Sequence, residues 1–152
     1  MPSAVAGAER TSRVDWRPSY RLVPSRFPPI QLFERVADPA DLEAVIAIEG
    51  LTNDRIRDEV GEIRLVAPED RLSGPGSSPI MAAFTHVNPD GGRFTDGTFG
   101  AWYAAHDLHT AASEIAHHRA IFLARTKEAP GEIDMRCYQA NLQADLADIR
   151  GQ

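Results

Sequence analysis

The chain has 152 residues, of which 43% are hydrophobic and 25% charged, a length and composition typical of one globular domain with a buried core. Its formal net charge of -6 argues against direct binding of nucleic acid, which usually requires a basic surface. Cys137 is the only cysteine, which excludes an intrachain disulfide, and neither a signal-like N-terminus nor a membrane-spanning apolar run is present, so the sequence predicts a cytoplasmic protein without membrane contacts.

Residues 1–29 are predicted to form an N-terminal arm, followed by a folded domain over residues 30–152. Prolines exclude a regular helix in the arm, and they stand at Pro18, Pro24, Pro28 and Pro29. Aromatic side chains are expected to anchor the arm to the domain, and they belong to Trp16, Tyr20 and Phe27.

The domain is predicted to begin with a strand over residues 30–37, which read IQLFERVA. Because side chains alternate along a strand, Arg35 is expected on the same face as Phe33. An arginine in that setting is salt-bridged, lies at a sheet edge or points into a polar cleft. The strand pattern alone leaves these three alternatives open.

Helices, a short strand and a loop are predicted between residues 38 and 86. Asp38 is expected to cap a helix whose first residue is Pro39 and which ends near Gly50. Next in order we expect a helical piece over residues 54–60, a strand over residues 63–66 and a loop over residues 68–79. Residues 80–86 are apolar and fit either a strand or a helix.

The C-terminal part of the chain is predicted to hold two strands and a long helix. Residues 88–97 are rich in turn formers, and residues 99–105 are expected to form a strand. Asp107 is expected to cap a helix that reaches about Arg125, and a further strand is predicted over residues 133–142. Mixed strands and helices without regular βαβ alternation predict an α+β fold, with a small mixed sheet and flanking helices.

The helix after Asp107 carries a candidate catalytic carboxylate. At 3.6 residues per turn, one of its sides collects Leu108, Ala112, Ile115, Arg119 and Phe122. Glu114 lies at the margin of that side, next to Ala111 and His118, where a carboxylate can face a cleft while the helix packs on the core. The alternative is a surface glutamate paired with His118 four residues later.

The segment GGRFTDGTFGAWYAA contains two further candidate binding residues. Arg93 follows two glycines and suits bidentate contact with a phosphate, because glycine lets backbone and ligand approach closely. Tyr103 offers a ring that can stack on a flat heterocycle. Together with a carboxylate such as that of Glu114, which can stabilise a developing cation, these groups suit a negatively charged nucleotide.

Histidines raise a different hypothesis, that of a small metal-binding protein. His106 and His109 are close in sequence, and Glu114 precedes His117 at the three-residue spacing found in di-iron carboxylate bundles. Such bundles need the motif twice and two further glutamates, which the sequence does not supply, so no metal is expected. Cys137 has no flanking basic pair and is expected to be buried in the last strand.

Four motifs occur in the order found in one family: LFERV with Arg35, GGRF with Arg93, GAWYAA with Tyr103 and TAASE with Glu114. In these motifs, and in the segments PSRFPPIQLF, MAAFTH and HHRAIF, the chain resembles the RES domain, the toxin half of RES–Xre toxin–antitoxin modules, from about Tyr20 to its C-terminus. The resemblance implies a fold related to ADP-ribosyltransferases, with NAD⁺ as substrate rather than cofactor and cleavage of its nicotinamide–ribose bond. It also implies an Xre-type helix-turn-helix antitoxin as protein partner.

The resemblance further implies a role for each of the four residues. Glu114 would stabilise an oxocarbenium-like transition state, as carboxylates do in glycoside hydrolysis. Arg35 and Arg93 would bind the pyrophosphate or the ribose, and Tyr103 would lie against the nicotinamide or the ribose. Arg35, Tyr103 and Glu114 are thus the expected catalytic residues, and Arg35 and Glu114 are expected to approach one cleft.

Two departures from the family pattern open an alternative. Family members usually continue past the point that corresponds to residues 148–151, and the position that is often serine after the tyrosine strand is His106 here. We therefore expect an incomplete fold in which the strand over residues 133–142 is an open edge, and a chain that forms a homo-oligomer or needs a partner. The alternative function is a non-catalytic remnant that binds the nucleotide or the antitoxin.

Overall fold

The computed structural model describes residues 10–25, 31–36, 38–53, 56, 60–126, 129 and 131–150. The chain divides into two compact units. Met1–Pro24 and Ala104–Gln152 form one, called here the sheet unit, and Ser25–Tyr103 form the other, called here the helical unit. Within the described ranges, no helix is long and apolar enough to cross a bilayer.

The regular elements place a strand near each end of the chain and helices between them. The strands and α-helices whose bounds fall within the described residues are β1 (Thr11–Pro24), α1 (Leu42–Glu49), α2 (Ser77–Thr85), α3 (Leu108–Ala124) and β2 (Met135–Ala147). Short 3-10 helices cover Phe33–Arg35, Pro39–Asp41, Ile63–Leu65 and Pro68–Asp70. The fold is therefore α+β, as the sequence predicts.

The sheet unit is built on one long antiparallel strand pair. β1 and β2 pair along nearly their whole lengths, with a register irregularity between Trp16 and Ser19. Exposed and half-buried residues alternate along much of both strands, as expected when one face of a sheet is covered. α3 packs against β1, and Tyr20 pairs with Ala105 through two backbone hydrogen bonds of 2.8 Å.

A buried carboxylate links the start of β1 to the end of β2. Asp148, just after β2, accepts hydrogen bonds from Arg10 Nη2 at 2.9 Å and from Arg150 Nε and Nη2 at 2.8 Å each. Its backbone N–H donates to the Arg10 carbonyl oxygen at 2.6 Å. The hydrogen bonds from Arg150 contribute most, and the one from Arg10 contributes next, to a pKa of the Asp148 carboxyl that lies well below its usual range.

The helical unit encloses the hydrophobic core. Its buried members are Leu32, Phe33, Val36, Leu42, Ile56, Val60, Ile63, Val66 and Met81. Asp38 caps the entry to α1, because its carboxylate accepts a hydrogen bond from Ala40 N at 2.9 Å and Pro39 begins the 3-10 turn that leads into the helix. The predicted cap at Asp38 and the predicted end near Gly50 are confirmed, and the α-helix itself begins at Leu42 after the 3-10 turn.

Two predicted strands of the helical unit are wrong. The segment predicted over residues 30–37 contains the 3-10 helix Phe33–Arg35, and the one predicted over 63–66 contains Ile63–Leu65. In both segments a pair of buried residues lies three positions apart, Phe33 and Val36 in the first and Ile63 and Val66 in the second, which is the spacing of a helical turn rather than of a strand. Residues 30 and 37 lie outside the described ranges.

The predicted strand over residues 99–105 is also wrong. Apart from the bridge at Ala105, this segment is irregular. Gly100 shows the reason, because a Cβ added there would collide with backbone atoms of Ala83 and Phe84 in α2. The chain therefore runs close against a helix at this point instead of joining a sheet.

The segment predicted as an irregular arm contains β1. Pro18 falls within the register irregularity and Pro24 is the last residue of the strand, positions where the missing N–H of proline is tolerated. Residues 1–9 and 26–30 lie outside the described ranges, and the domain boundary at residue 30 stays a prediction.

The remaining predicted elements agree with the structure to different degrees. The helix capped by Asp107 is α3, and the last predicted strand is β2, which continues to Ala147. Residues 80–86 are resolved in favour of a helix, since α2 begins at Ser77 inside the predicted loop and ends at Thr85. Of the helical piece predicted over residues 54–60, only Ile56 and Val60 are described, and both are helical.

Candidate functional site

Arg93 is presented by a tight glycine turn in the helical unit. Gly91 has a φ of +78°, and a Cβ added there would lie 2.8 Å from the Thr95 carbonyl oxygen, so the turn requires glycine. Asn88 braces the turn from one side through Nδ2, which donates to the Gly91 carbonyl oxygen at 2.9 Å. Gly92 N donates to the Thr95 carbonyl oxygen at 2.8 Å. The turn thus fixes the backbone from which the exposed Arg93 side chain extends.

Two aromatic rings continue the surface that begins at Arg93. The guanidinium carbon of Arg93 lies 5.4 Å from the centre of the Phe94 ring. That ring stacks on Tyr103, with centroids 6.1 Å apart and planes 25° apart. Phe94 is 52% exposed and Tyr103 37% exposed. Arg93, Phe94 and Tyr103 are called here the arginine–aromatic cluster, and they combine a cation with flat apolar surface open to solvent.

Phe94 is the member of this cluster that sequence reasoning did not assign a role. The sequence does mark this residue, because Phe94 completes the GGRF motif directly after Arg93. The stack with Tyr103 depends on the chain returning nine residues later, and that return is not visible in the local sequence. Its exposed ring adds flat apolar surface beside Arg93.

Arg35 belongs to the same unit but to a different element. It is the last residue of the 3-10 helix Phe33–Arg35, and its side chain is exposed, whereas the neighbouring Phe33 is buried in the core. The predicted face shared with Phe33 is wrong because the segment is a 3-10 helix, and of the three alternatives left open by the sequence the sheet edge is thereby removed. Its backbone N–H donates to the Leu32 carbonyl oxygen at 3.0 Å, which closes the turn.

Glu114 lies on α3 in the sheet unit. Asp107 caps this helix, because its carboxylate accepts a hydrogen bond from Thr110 N at 2.8 Å. This hydrogen bond lowers the pKa of the Asp107 carboxyl. Ala111 is the buried residue of α3, and Glu114 is half-buried one turn further along. The prediction of which side of α3 packs on the core is wrong, because Leu108 and Phe122 on that side are exposed. Glu114 therefore sits on the more buried side of the helix rather than at its margin.

The four predicted site residues are divided between the two units. Arg35, Arg93 and Tyr103 lie in the helical unit, and Glu114 lies in the sheet unit. The structure brings Arg93 and Tyr103 together through Phe94. That Arg35 and Glu114 approach one cleft stays a prediction.

Three of the histidines lie against other aromatic rings, and the cysteine is exposed. His106 meets Trp16 edge-on, with ring centroids 6.0 Å apart, and His117 and His118 meet each other at 5.8 Å. In the part of the chain that the structure describes, no group of three or more His, Cys, Asp or Glu side chains could hold a metal ion. The predicted burial of Cys137 is wrong, since its residue position on β2 is exposed.

A groove in the sheet unit was not foreseen from the sequence. It has a volume of about 670 Å³ and is lined by Asp15, Trp16, Arg17, Pro18, Tyr20 and His106. Its charged groups are paired with each other, because Arg17 Nε donates to Asp15 at 2.6 Å and Nη2 donates to it at 3.1 Å. These bonds, together with one from Gln143, lower the pKa of Asp15.

Comparison with known proteins gives the family. The model of the RES domain matches residues 68–152, which include the arginine–aromatic cluster and Glu114 but not Arg35. The protein y4oC of Sinorhizobium fredii, described as uncharacterized, is 38% identical over 131 residues, which cover 86% of this chain and 56% of the relative. The chain thus spans little more than half the length of that relative, and no solved structure matches. With the family model covering more than half of its residues, the chain belongs to the RES-domain family.

Proposed function

We propose that this protein binds NAD⁺ and cleaves its nicotinamide–ribose bond, as the toxin of a toxin–antitoxin module. The observation that carries the proposal is the arginine–aromatic cluster, which lies within the residues matched by the RES-domain model. NAD⁺ joins a pyrophosphate to two flat heterocycles, and the cluster offers a partner for each kind of group.

The cluster suits the two kinds of contact that a dinucleotide requires. The exposed guanidinium of Arg93 can donate two parallel hydrogen bonds to a phosphate. Phe94 and Tyr103 expose flat surface on which a nicotinamide or adenine ring can stack. Arg35 supplies a second exposed cation from the same unit, for the pyrophosphate or the ribose.

Glu114 supplies the carboxylate for bond cleavage. When the nicotinamide–ribose bond breaks, nicotinamide leaves as a neutral molecule with the bonding electron pair, and positive charge develops on the ribose. A nucleophile such as water then bonds to the same ribose carbon and releases its proton. A carboxylate near that charge lowers the barrier, as in glycoside hydrolysis. The half-buried position of Glu114 on α3 favours this role, because an electrostatic contact is stronger where water is partly excluded.

Incubation of the purified chain with NAD⁺, followed by detection of nicotinamide, tests the activity. We expect nicotinamide to accumulate in proportion to protein concentration. Binding of NAD⁺ without any nicotinamide would identify the chain as a non-catalytic nucleotide-binding module instead. Absence of both binding and release would contradict the proposal.

The biological partner follows from the same proposal. A toxin that degrades NAD⁺ in the cytoplasm arrests growth unless it is neutralised, and the partner proposed here is an Xre-type helix-turn-helix protein. Expression of the chain alone in a bacterium should lower cellular NAD⁺ and slow growth, and co-expression of the helix-turn-helix protein encoded beside it should restore both. Unchanged NAD⁺ levels on expression of the folded chain would contradict the toxin role.

A further inference from the structure

The residue that precedes Arg35 makes an unusual contact with a distant helix. Glu34 Oε1 accepts a hydrogen bond from the backbone N–H of Ser78 at 2.9 Å, and Glu34 Oε2 accepts one from the Ser78 hydroxyl. Ser78 is buried and lies in the first turn of α2. Both oxygens of one carboxylate are therefore committed to a single residue 44 positions away.

This contact is strong for two physical reasons. Hydrogen bonds to an ionised carboxylate are stronger than those between neutral groups. The first turn of a helix also carries partial positive charge from its unpaired N–H groups, which favours an anion at that end. No residue of the first turn of α2 is acidic, so the carboxylate that complements this end comes from Glu34.

The 3-10 turn Phe33–Arg35, which contains Glu34, is also held in place by burial of the residues around it. Phe33 is buried in the core, and its carbonyl oxygen accepts a hydrogen bond from Gly74 N at 3.3 Å. Val36, on the far side of Arg35, is also buried. The exposed Arg35 therefore stands on a backbone that is fixed before and after it, and Glu34 supplies the charged part of that fixation.

We propose that Glu34 is a positioning residue for Arg35, acting through its carboxylate contact with Ser78. The inference rests on the proposed role of Arg35 in nucleotide binding. Arginine has a long flexible side chain, so the precision with which its guanidinium meets a phosphate depends on how well its backbone is held. Loss of the Glu34–Ser78 contact releases the turn without removing the cation.

A double-mutant cycle on NAD⁺ affinity tests this role. Calorimetric titration of NAD⁺ is carried out on the full chain and on Glu34→Ala, Arg35→Ala and the double variant. Glu34→Ala removes both hydrogen bonds to Ser78, whereas a change at Ser78 would keep the one from its backbone N–H. We expect Glu34→Ala to weaken binding about threefold to tenfold when Arg35 is present and not at all when Arg35 is already alanine. Glu34→Gln, which keeps the side-chain shape and one acceptor, should give a smaller loss. Glu62→Gln is the matched control, because Glu62 caps a different 3-10 turn by accepting from Arg64 N at 3.2 Å.

Amide hydrogen exchange supplies a readout that does not depend on NAD⁺. In Glu34→Ala, we expect faster exchange of the Arg35 N–H, whose bond to the Leu32 carbonyl closes the turn, with unchanged exchange in α1. Unchanged Arg35 exchange in the folded variant would overturn the inference. So would an equal loss of affinity from Glu34→Ala with and without Arg35, which indicates a general structural effect.

The two levels of the proposal fail in different ways. If Arg35→Ala leaves NAD⁺ affinity unchanged, the role of Arg35 in binding fails, and the positioning role fails with it. If Arg35→Ala weakens binding and Glu34→Ala does not, Arg35 keeps its role and only the inference about Glu34 is overturned.

Discussion

The helical unit and the sheet unit are stabilised by different interactions. The helical unit buries a continuous apolar core around Phe33, Leu42 and Met81. Among the described residues of the sheet unit, the buried apolar ones are the small Ala105 and Ala111. Its described contacts are instead a long backbone ladder and several arginine–carboxylate pairs. Core mutations should therefore affect the helical unit, and pH and salt should affect the sheet unit.

The proposed chemistry follows the same division. The groups that suit nucleotide binding, Arg35 and the arginine–aromatic cluster, stand on the unit with the packed core. The carboxylate proposed for bond cleavage stands on the other. Rigid, well-packed elements hold binding groups in fixed geometry, which is the property that recognition of a dinucleotide requires.

The largest effect is expected from the core of the helical unit. Leu42 is 0% exposed, so Leu42→Ala should cost about 2–5 kcal/mol of unfolding free energy because it leaves a cavity. Leu146→Ala is the matched control in the sheet unit, where Leu146 is 43% exposed and little packing is lost. Urea denaturation measures both. Equal losses in the two variants would break the comparison between the units.

Removal of the Arg93 side chain should separate binding from stability. Arg93→Ala is expected to weaken NAD⁺ binding by about 1.5–3 kcal/mol, the usual contribution of a hydrogen bond to a charged group, and to leave the melting temperature nearly unchanged because Arg93 is exposed. Arg64→Ala removes another exposed arginine of the helical unit as a control. Calorimetric titration that gives the same affinity for Arg93→Ala and the unmodified chain would refute the binding role.

Acid should act on the sheet unit through Asp148. Folding lowers the pKa of this carboxyl, so its contribution to stability is present above the pKa of an unfolded aspartate, about 3.9, and is lost as the pH falls below it. We expect the stability difference between the unmodified chain and Asp148→Asn to be largest near neutral pH and to shrink as the pH falls from about 5 toward 3. Asp134→Asn, which changes an exposed carboxylate outside the strand pair, is the control in urea titrations at each pH. A difference that grows toward acid pH has the wrong sign for this account.

The smallest effect is expected from the exposed ion pairs of the sheet. Arg13 Nη1 lies 3.1 Å from Asp145 Oδ2, and both side chains are well exposed. Arg13→Ala should therefore cost less than about 1 kcal/mol, and added salt should erase the loss. Denaturation of Arg13→Ala in low and high salt measures it. A salt-insensitive loss would point to packing of the arginine stem instead of charge.

Local signals in the sequence were sufficient for the starts of the helices that follow Asp38 and Asp107. Asp38 and Asp107 are both caps whose side chains accept from backbone N–H groups two or three residues later, so the helix starts could be predicted from a few neighbouring residues. Short apolar segments were misread, because a 3-10 turn such as Ile63–Leu65 is too short to reveal its period.

The sheet depended on information that is distant in sequence. Residue Trp16 of β1 pairs with Leu142 of β2, so neither strand has a local partner that would mark it. Proline in β1 suggested an irregular arm, yet Pro18 sits where the pairing register shifts. Proline excluded a helix there but did not exclude an edge or an irregular strand.

The candidate site was predicted by residue type and only in part by position. Arg93 and Tyr103 were identified as a phosphate partner and a stacking ring, and the structure joins them through Phe94. The Glu34–Ser78 contact could not be foreseen, because the segment was predicted as a strand and α2 as partly loop.

Nicotinamide release by Glu114→Gln, at an NAD⁺ concentration that saturates the protein, tests the central claim most directly. The substitution removes the charge and keeps the shape, so the proposed chemistry predicts a fall of about 100-fold or more in turnover, since an electrostatic contact to the developing cation is lost. Affinity for NAD⁺ should remain within about twofold, because binding is assigned to the other unit. Glu132→Gln, an exposed glutamate of the same unit, should release nicotinamide at the rate of the unmodified chain. Turnover by Glu114→Gln equal to that of the unmodified chain would contradict the account.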